Sequence, residues 1–592
     1  MKKIRTGRFV IVFVLLITGA LSAGFLITQE TRDFRIAKNL DIFFSLFREL
    51  NTFYVDEIDP DKVIKASIDN MLKTLDPYTV YYPESEADEF TFMTTGKYGG
   101  IGSLIRPGGD YAIINVVYKG YPADLAGIKA GDILKNVDGA SLKGLSTDKV
   151  SEKLKGNPGT SMAITVERNG KEINFTLKRE KIGLPPVPYY GMINEKTGYI
   201  RFTNFTQNCI EDVKNALSAL KNSNSQHIIL DLRGNPGGLL TEAVDIVNLF
   251  VGPGNEVVST KGKVNKFDEK FKTTKPAVDE KIPLVVIINR GSASAAEIVA
   301  GAIQDLDRGV IVGQRSFGKG LVQITRPLNY NTQLKVTTAK YYIPSGRCIQ
   351  ALDFSHPNED GSVGLIPDSL ISEFKTKNGR IVRDGGGITP DIHVVPEPLS
   401  QIAAELYLRN YIFDFATQYY WSHQDIKSPE QFSLTEQDYT DFKNYLLKRN
   451  FTYKTVTEES LNELITNAKR EKYYDLHKDL FTGLERDIAH SLDHDLTTFR
   501  TEITELLEDE IISRYFYEEG AIAWTIKKDE QVLKALEVLN NGTEYSSILR
   551  GKTGSLLISD RANDLRYSVF HKPSQLIVIQ RTALPALCLN TF

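Results

Sequence analysis

Leu284-Val-Val-Ile-Ile-Asn-Arg-Gly-Ser-Ala-Ser-Ala-Ala-Glu297 decides how this chain folds. Its first five residues are all aliphatic, the pattern of a strand buried on both faces of a parallel sheet. Asn289-Arg-Gly-Ser then breaks the run, and Ile298, Val299, Ala302, Ile303 and Leu306 follow at helical spacing. The same order recurs upstream. His227-Ile-Ile-Leu-Asp-Leu-Arg-Gly-Asn-Pro-Gly-Gly238 is a buried strand running into a glycine loop, and a helix-like stretch follows over 239–250. Residues 187–395 alternate in this way, which predicts an α/β domain.

Outward from this domain the composition changes. The 592 residues leave room for several domains of ~150 residues each. Lys2, Lys3, Arg5 and Arg8 precede an apolar run from Phe9 to Ile27. That run could cross a bilayer, which takes ~20 residues, or serve as a signal-peptide core with small residues at Ala20-Leu21-Ser22. Either way the basic flank stays inside, so we expect export, into the periplasm or anchored to the membrane and facing it. Segments 1–34 and 35–97 are thus an export segment and a helical segment. In the latter, Ile42, Phe43, Leu46, Phe47, Leu50 and Phe53 recur at helical spacing, and a second helix runs from about Asp61 to Leu75. Residues 98–180 form a glycine-punctuated β-rich block, 181–398 the α/β core, 399–551 a charged, aromatic helical region, and 552–592 a tail without a recognisable motif.

The charge balance excludes one class of partner. A net charge of −4 gives no basic footprint for nucleic acid. Cys209, Cys348 and Cys588 are too few and too scattered for a disulfide framework or a metal cluster.

In the β-rich block, Tyr98-Gly-Gly-Ile-Gly102 offers successive N–H groups that can capture a carboxylate, with Gly99, Gly100, Ile101 and Gly102 as the candidate donors. The strand after it, Ser103-Leu-Ile-Arg106, could pair with an extended peptide. Downstream stand Tyr121-Pro-Ala-Asp-Leu-Ala-Gly-Ile-Lys-Ala-Gly-Asp-Ile-Leu134 and Val137-Asp-Gly139. Together these motifs resemble a PDZ domain of the circularly permuted kind found in bacterial proteases. The resemblance implies recognition of a protein's free C-terminus.

The chemistry of the α/β domain rests on two polar positions. Ser294 falls at a helix N-terminus, where N–H groups and the macrodipole favour developing negative charge. A serine there also makes an ordinary N-cap, and Ser292 competes as a nucleophile. Gly234-Asn-Pro-Gly-Gly238 presents N–H groups without side-chain obstruction, as an oxyanion hole requires; it lacks the Lys-Ser/Thr of a phosphate loop. No histidine stands beside a serine-rich turn. Lys319, in Phe317-Gly-Lys-Gly-Leu-Val-Gln323, is the alternative base. A free lysine has a pKa of ~10.4, and burial can lower it by up to ~3–5 pH units. A surface lysine in a hairpin would look the same.

Ser292-Ala-Ser-Ala-Ala-Glu297, Gln304-Asp305, Phe317-Gly-Lys-Gly-Leu-Val-Gln323 and Asp231-Leu-Arg-Gly-Asn-Pro-Gly-Gly238 occur together and in this pattern resemble the C-terminal processing (tail-specific) proteases of peptidase family S41. Met71-Leu-Lys-Thr-Leu-Asp-Pro-Tyr78 is similar to that family's N-terminal helical segment, and the resemblance covers about 40–395. It implies a serine endopeptidase with a Ser-Lys dyad: Ser294 rather than Ser292 as nucleophile, Lys319 as general base, and Gln323 orienting the lysine. It further implies oxyanion N–H groups from Gly237 or Gly238 with Ala295, and an Asp305 that supports its helix. The implied core is a crotonase/Clp-protease-like α/β sheet with an inserted PDZ domain and helical N- and C-terminal regions. Substrates would be exported proteins or peptides with free C-termini, cut near that end, and no metal or organic cofactor is implied. A non-catalytic PDZ adaptor and a Ser-His-Asp hydrolase are the rival expectations.

Overall fold

The computed structural model describes residues 32–86, 95–358 and 362–551. The run from Phe9 to Ile27 and the tail 552–592 lie outside the described residues. Among the described residues no helix is long and apolar enough to cross a membrane.

Residues up to Tyr81 cluster as one unit and the rest as another. The first contains α1 (Arg32–Phe53) and α2 (Pro60–Lys73). Asp59 caps α2 by accepting from the N–H groups of Asp61 and Lys62, and Pro60 occupies the first turn, where its missing N–H costs nothing. The chain then leaves helix. Asp76 accepts from the N–H groups of Tyr78 and Thr79 and from the Thr79 hydroxyl, which closes a tight turn.

The second unit begins with the β-rich block. Strands β1 (Lys97–Gly100), β2 (Ser103–Gly108) and β3 (Tyr111–Val117) lead to a short helix α3 (Pro122–Leu125) and to β4 (Ile133–Val137). Helix α4 (Thr147–Leu154), capped by Ser146, precedes β5 (Ser161–Arg168), β6 (Lys171–Lys178) and β7 (Glu180–Gly183). The sheet order is β2-β3-β4-β5-β6, so β2 is an edge strand, and α4 lies beside it. Ile101, Ile114, Leu134, Val150 and Leu154 fill the interior. Entry and exit strands β1 and β7 pair antiparallel as a stalk, Lys97 opposite Gly183. A domain entered and left side by side is an insertion.

The α/β core carries β8 (Tyr189–Met192), β9 (Thr197–Arg201), α5 (Cys209–Asn222), β10 (His227–Asp231), α6 (Leu240–Asn248) and β11 (Glu256–Gly262). It continues with β12 (Leu284–Ile288), α7 (Ala295–Asp305), β13 (Val310–Gly313), β14 (Leu321–Pro327), β15 (Gln333–Tyr342) and β16 (Ile392–His393). The main sheet runs β8-β9-β10-β12-β13-β16, antiparallel at its first pair and parallel elsewhere. Strands β14, β15 and β11 form a second, antiparallel sheet.

All five residues of β12 are buried, and they divide by alternation. Leu284, Val286 and Ile288 pack under α5, α6 and α7, whereas Val285 and Ile287 face the opposite side. That second face is covered from far along the chain, by Val532, Ala535, Val538 and Leu539 of α15 (Glu530–Asn540) and Ile548 of α16 (Gly542–Leu549). Each Val, Leu or Ile side chain so buried contributes ~1.5–3 kcal/mol, so both layers hold the sheet, and the core draws on residues well beyond 398.

The helical region before α15, from α8 (Gln401–Leu408) through α9 (Tyr411–Ser422), α10 (Glu436–Lys448), α11 (Val456–Arg470), α12 (Lys478–Ile488) and α13 (Leu492–Thr498) to α14 (Arg500–Thr525), has its own core. Phe415 of the helix Tyr411–Ser422, Phe442 of Glu436–Lys448, and Leu507, Ile511 and Trp524 of Arg500–Thr525 meet there. The last of these helices is broken at Tyr517 (φ 59°, ψ −166°), a conformation that costs ~1–3 kcal/mol and persists only where the surroundings impose it. The Tyr517 hydroxyl donates to Asp124 Oδ1 of α3 at 2.8 Å. Arg106 of β2 lies over the Phe413 ring at 4.2 Å, and Arg168 of β5 over Trp421 at 5.0 Å. The helical region thus braces the inserted domain.

Candidate active site

The loops that follow β10, β12 and β13 all leave the carboxyl ends of parallel strands, where open α/β sheets place their ligands. Here they are stitched together. Gly234 and Gly291 both donate their N–H groups to Asn289 Oδ1, at 2.9 and 3.0 Å. The Ala293 N–H donates to the Asn235 carbonyl at 2.9 Å.

The two serines have different surroundings. Ser292 is fully buried; its hydroxyl donates to the Leu232 carbonyl at 2.8 Å and accepts from the Asn289 N–H at 3.0 Å. It fastens the two loops. Ser294 is half-buried, at the N-cap of α7, with φ 54° and ψ −114°. A serine held at positive φ is strained, so other contacts must impose that geometry.

Two buried side chains supply them. The Glu297 Oε2 atom accepts from the Ser294 N–H at 2.8 Å and from the Lys319 N–H at 2.9 Å. Its Oε1 accepts from the Gly318 N–H at 2.7 Å and the Ser316 hydroxyl at 2.5 Å. The Tyr341 hydroxyl, from β15, bridges the Lys319 carbonyl at 2.7 Å and the Ser294 carbonyl at 3.2 Å. Both ends of the peptide units at 294 and 319 are therefore fixed to the same two side chains. Burial pushes the Glu297 carboxyl up to about 7, against the pull of the donated hydrogen bonds. All four donors point at carboxylate oxygens, which is the pattern of the ionised form.

Lys319 is half-buried between Gly318 and Gly320. A Cβ on Gly318 would come within 2.4 Å of Ala351 Cβ, and one on Gly320 within 2.8 Å of the Gln350 nitrogen, so both glycines allow close packing around the lysine. Gln323 lies in β14, and its amide nitrogen donates to Thr337 Oγ1 of β15 at 3.1 Å. Asp305 pairs with buried Arg347 at 2.9 Å at the far end of α7.

The glycine loop lies directly against Ser294. A Cβ on Gly237 (φ 96°) would fall 2.7 Å from Ser294 Cβ and 2.8 Å from the Ala295 nitrogen. The Gly237 N–H is itself engaged, donating to Asn235 Oδ1 at 2.9 Å. The N–H groups of Gly238 and Ala295 find no acceptor among the described residues. His227 stands at the first residue of β10, the opposite end of the strand from this loop, and burial lowers its pKa.

In the inserted domain the four candidate carboxylate donors separate. Gly99 and Gly100 lie in the stalk: the Gly99 carbonyl accepts from the Gly156 N–H, and Gly100 pairs with Glu180. Ile101 and Gly102 (φ 77°) form the turn that enters edge strand β2, and their carbonyls accept from the N–H groups of Ala123 and Tyr118.

Of the fixing residues, Glu297 was accessible from sequence, since Ser294-Ala-Ala-Glu297 has capping-box spacing. Tyr341 carried no local signal, because its partners lie on other loops.

A nucleophile-sized residue at a strained strand-to-helix turn, with a glycine loop against it, defines a serine hydrolase of α/β type. Known proteins narrow this. The sequence model of peptidase family S41 matches residues 196–368, that of the PDZ domain 113–168, and that of a PDZ-protease C-terminal helical domain 402–539. A carboxy-terminal-processing protease of Bartonella bacilliformis is 35% identical over 346 residues, covering 57% of this chain and 76% of the relative. A probable CtpA-like serine protease of Staphylococcus aureus is 33% identical over 347 residues, covering 58% of this chain and 67% of that protein. Among solved structures, a photosystem II D1 C-terminal processing protease is 27% identical, covering 60% of this chain and 88% of its own, with a TM-score of 0.34. The chain belongs to peptidase family S41, and is a serine-type endopeptidase of the carboxy-terminal-processing kind with a PDZ domain.

Proposed function

We propose that this enzyme cleaves exported proteins near their C-termini with a Ser294–Lys319 dyad. The observation that carries the assignment is the shared anchorage of both residues on Glu297 Oε2 and the Tyr341 hydroxyl, while the Ser292 hydroxyl is consumed by the loops. Neutral Lys319 takes the proton from Ser294 Oγ, and the alkoxide attacks a substrate carbonyl. Gly238 and Ala295, whose N–H groups are the ones left to donate, hold the oxyanion, and Gly237 lets the loop approach. The lysinium then gives its proton to the leaving amine, and water releases the acyl group. Gln323, anchored on Thr337, orients the lysine.

The PDZ domain takes the substrate's C-terminus. Its edge strand β2 pairs with the extended peptide, and Ile101 and Gly102 at the strand's start receive the carboxylate. The basic, apolar N-terminal segment directs the chain to the periplasm or the membrane facing it. The test is mass spectrometry of a peptide with an apolar C-terminus, cleaved by wild type, Ser294→Ala and Lys319→Ala. Neither variant should release product, and wild-type cleavage by either one refutes the dyad. Amidating the peptide's C-terminus should weaken its binding, and equal affinity refutes carboxylate capture.

A further inference from the structure

The glycine loop begins at Arg233, and the α/β core alone does not neutralise that residue. Two guanidinium groups, Arg201 and Arg233, converge on one carboxylate, Asp231, which is fully buried. Asp231 also accepts from the Tyr199 hydroxyl at 2.6 Å and from the Arg233 N–H at 2.9 Å. Burial alone would raise its pKa, but the two arginines hold it well below the usual carboxylate range. Its acceptor capacity is committed. The second negative charge arrives from the other end of the chain: Asp529 Oδ2 lies 2.7 Å from Arg233 Nη1, and Gln531 Oε1 accepts from the same nitrogen at 3.0 Å. The side chains of Arg233 and Asp529 are 4% and 3% exposed, so water does not share the work.

We propose that Asp529 and Gln531 are positioning residues for the oxyanion loop, acting through Arg233. The inference rests on the role proposed above for that loop. An arginine cannot shed its charge, so without Asp529 the guanidinium groups of Arg201 and Arg233 are left to share the single charge of Asp231, and residue 233 must shift to bring the excess charge to water. The loop has no slack to absorb such a shift. Gly234 is tied to Asn289 and the Asn235 carbonyl to Ala293, and Gly237 already touches Ser294. The anchor itself is rigid. Asp529 Oδ1 caps α15 by accepting from the N–H groups of Gln531 and Val532, both at 3.0 Å, and the Gln531 amide nitrogen donates to the Val394 carbonyl at 2.7 Å. The end of the helical region is on this account part of the catalytic apparatus.

The test uses the full chain. Asp529→Asn keeps an oxygen to cap α15 and removes the negative charge that faces Arg233. It should lower kcat by about 10–100-fold, the scale of a misplaced oxyanion donor, with KM within about threefold. Affinity for a peptide aldehyde, whose hemiacetal oxygen occupies the oxyanion site, should fall in parallel, and affinity for the matching alcohol should hold. Adding Gln531→Glu returns a carboxylate to Arg233 Nη1 and should recover most of the loss. A folded Asp529→Asn enzyme with wild-type kcat overturns the proposal. So do equal losses for aldehyde and alcohol, which would mark general structural damage, and so does a double variant without recovery. If Asp529→Asn does not fold, Gln531→Leu carries the test: a 3–10-fold lower kcat supports the proposal, and an unchanged kcat overturns it. Wild-type turnover by Ser294→Ala would instead remove the site assignment itself.

Discussion

Two glycine loops in this molecule look alike as sequence and differ in use. Tyr98-Gly-Gly-Ile-Gly102 and Gly234-Asn-Pro-Gly-Gly238 both promise a row of unobstructed N–H groups. In the first, Gly99 and Gly100 are spent on the stalk, where a Cβ on Gly99 would lie 2.0 Å from the Gly156 carbonyl oxygen. In the second, Gly237 is pressed against Ser294 and Ala295. A glycine is required in both places because a neighbour's backbone or Cβ fills the space. What separates the loops is the identity of that neighbour, a structural carbonyl in one and the proposed nucleophile in the other.

Substitutions can break or sharpen the contrast. Gly237→Ala should have the largest effect, because the new methyl overlaps Ser294 and the residue must hold φ 96°. We expect turnover to fall by about 10²–10³-fold, as for loss of an oxyanion donor, measured as kcat on a short peptide. Glu297→Gln comes next, with kcat lower by about 10²-fold, since an NH2 donor replaces one of the two oxygens that hold Ser294, Lys319, Ser316 and Gly318, and the misplacement is on the scale that costs this much. Wild-type activity should also decline as the pH drops through about 7, where Glu297 gains a proton and must give up accepted bonds. The stability contribution runs the other way. A carboxyl raised from 4.5 to about 7 in the folded state favours folding most below pH 4.5, and this benefit is lost as the pH rises through about 7. The melting temperature of Glu297→Gln relative to wild type should therefore improve between pH 5 and 8. No such trend would show that Glu297 does not titrate in that range.

Ser292→Ala tests the structural serine. Losing both hydrogen bonds leaves a buried carbonyl and N–H to be satisfied, at a cost of about 1–3 kcal/mol in urea unfolding. Turnover of the folded protein should drop by less than tenfold. A loss as deep as that of Ser294→Ala would reopen the choice between the serines. Gly99→Ala should have the smallest catalytic effect. It should weaken binding of a peptide with a free C-terminus about tenfold or more, while acylation by a small serine-directed probe stays near wild type.

The sequence pattern announced the sheet because β12 is aliphatic at every position and β10 at its three central ones, Ile228, Ile229 and Leu230, and each is followed by loop and helix, a combination few other arrangements tolerate. The inserted domain was likewise marked by its glycine spacing. It could not show that α15 and α16 cover the second face of the sheet, since an amphipathic helix states that it needs a partner without naming one. Residue spacing alone could not choose between Ser292 and Ser294, because Gly-Ser-Ala-Ser offers two hydroxyls two residues apart; the family motif favoured Ser294, and the structure adds that the loops consume the Ser292 hydroxyl. Arg233 and Asp529 are separated by half of the chain, and neither has a local pattern that points to the other.

The antiparallel stalk has a practical consequence. Lys97 and Gly183 face each other across one pair of strands, a gap of about 5 Å that a two-residue hairpin turn closes. The 98–182 segment is in effect a cartridge. A tight turn in its place should leave a scissor without its proposed address reader, and a foreign recognition domain with adjacent termini should give the same scissor a new destination.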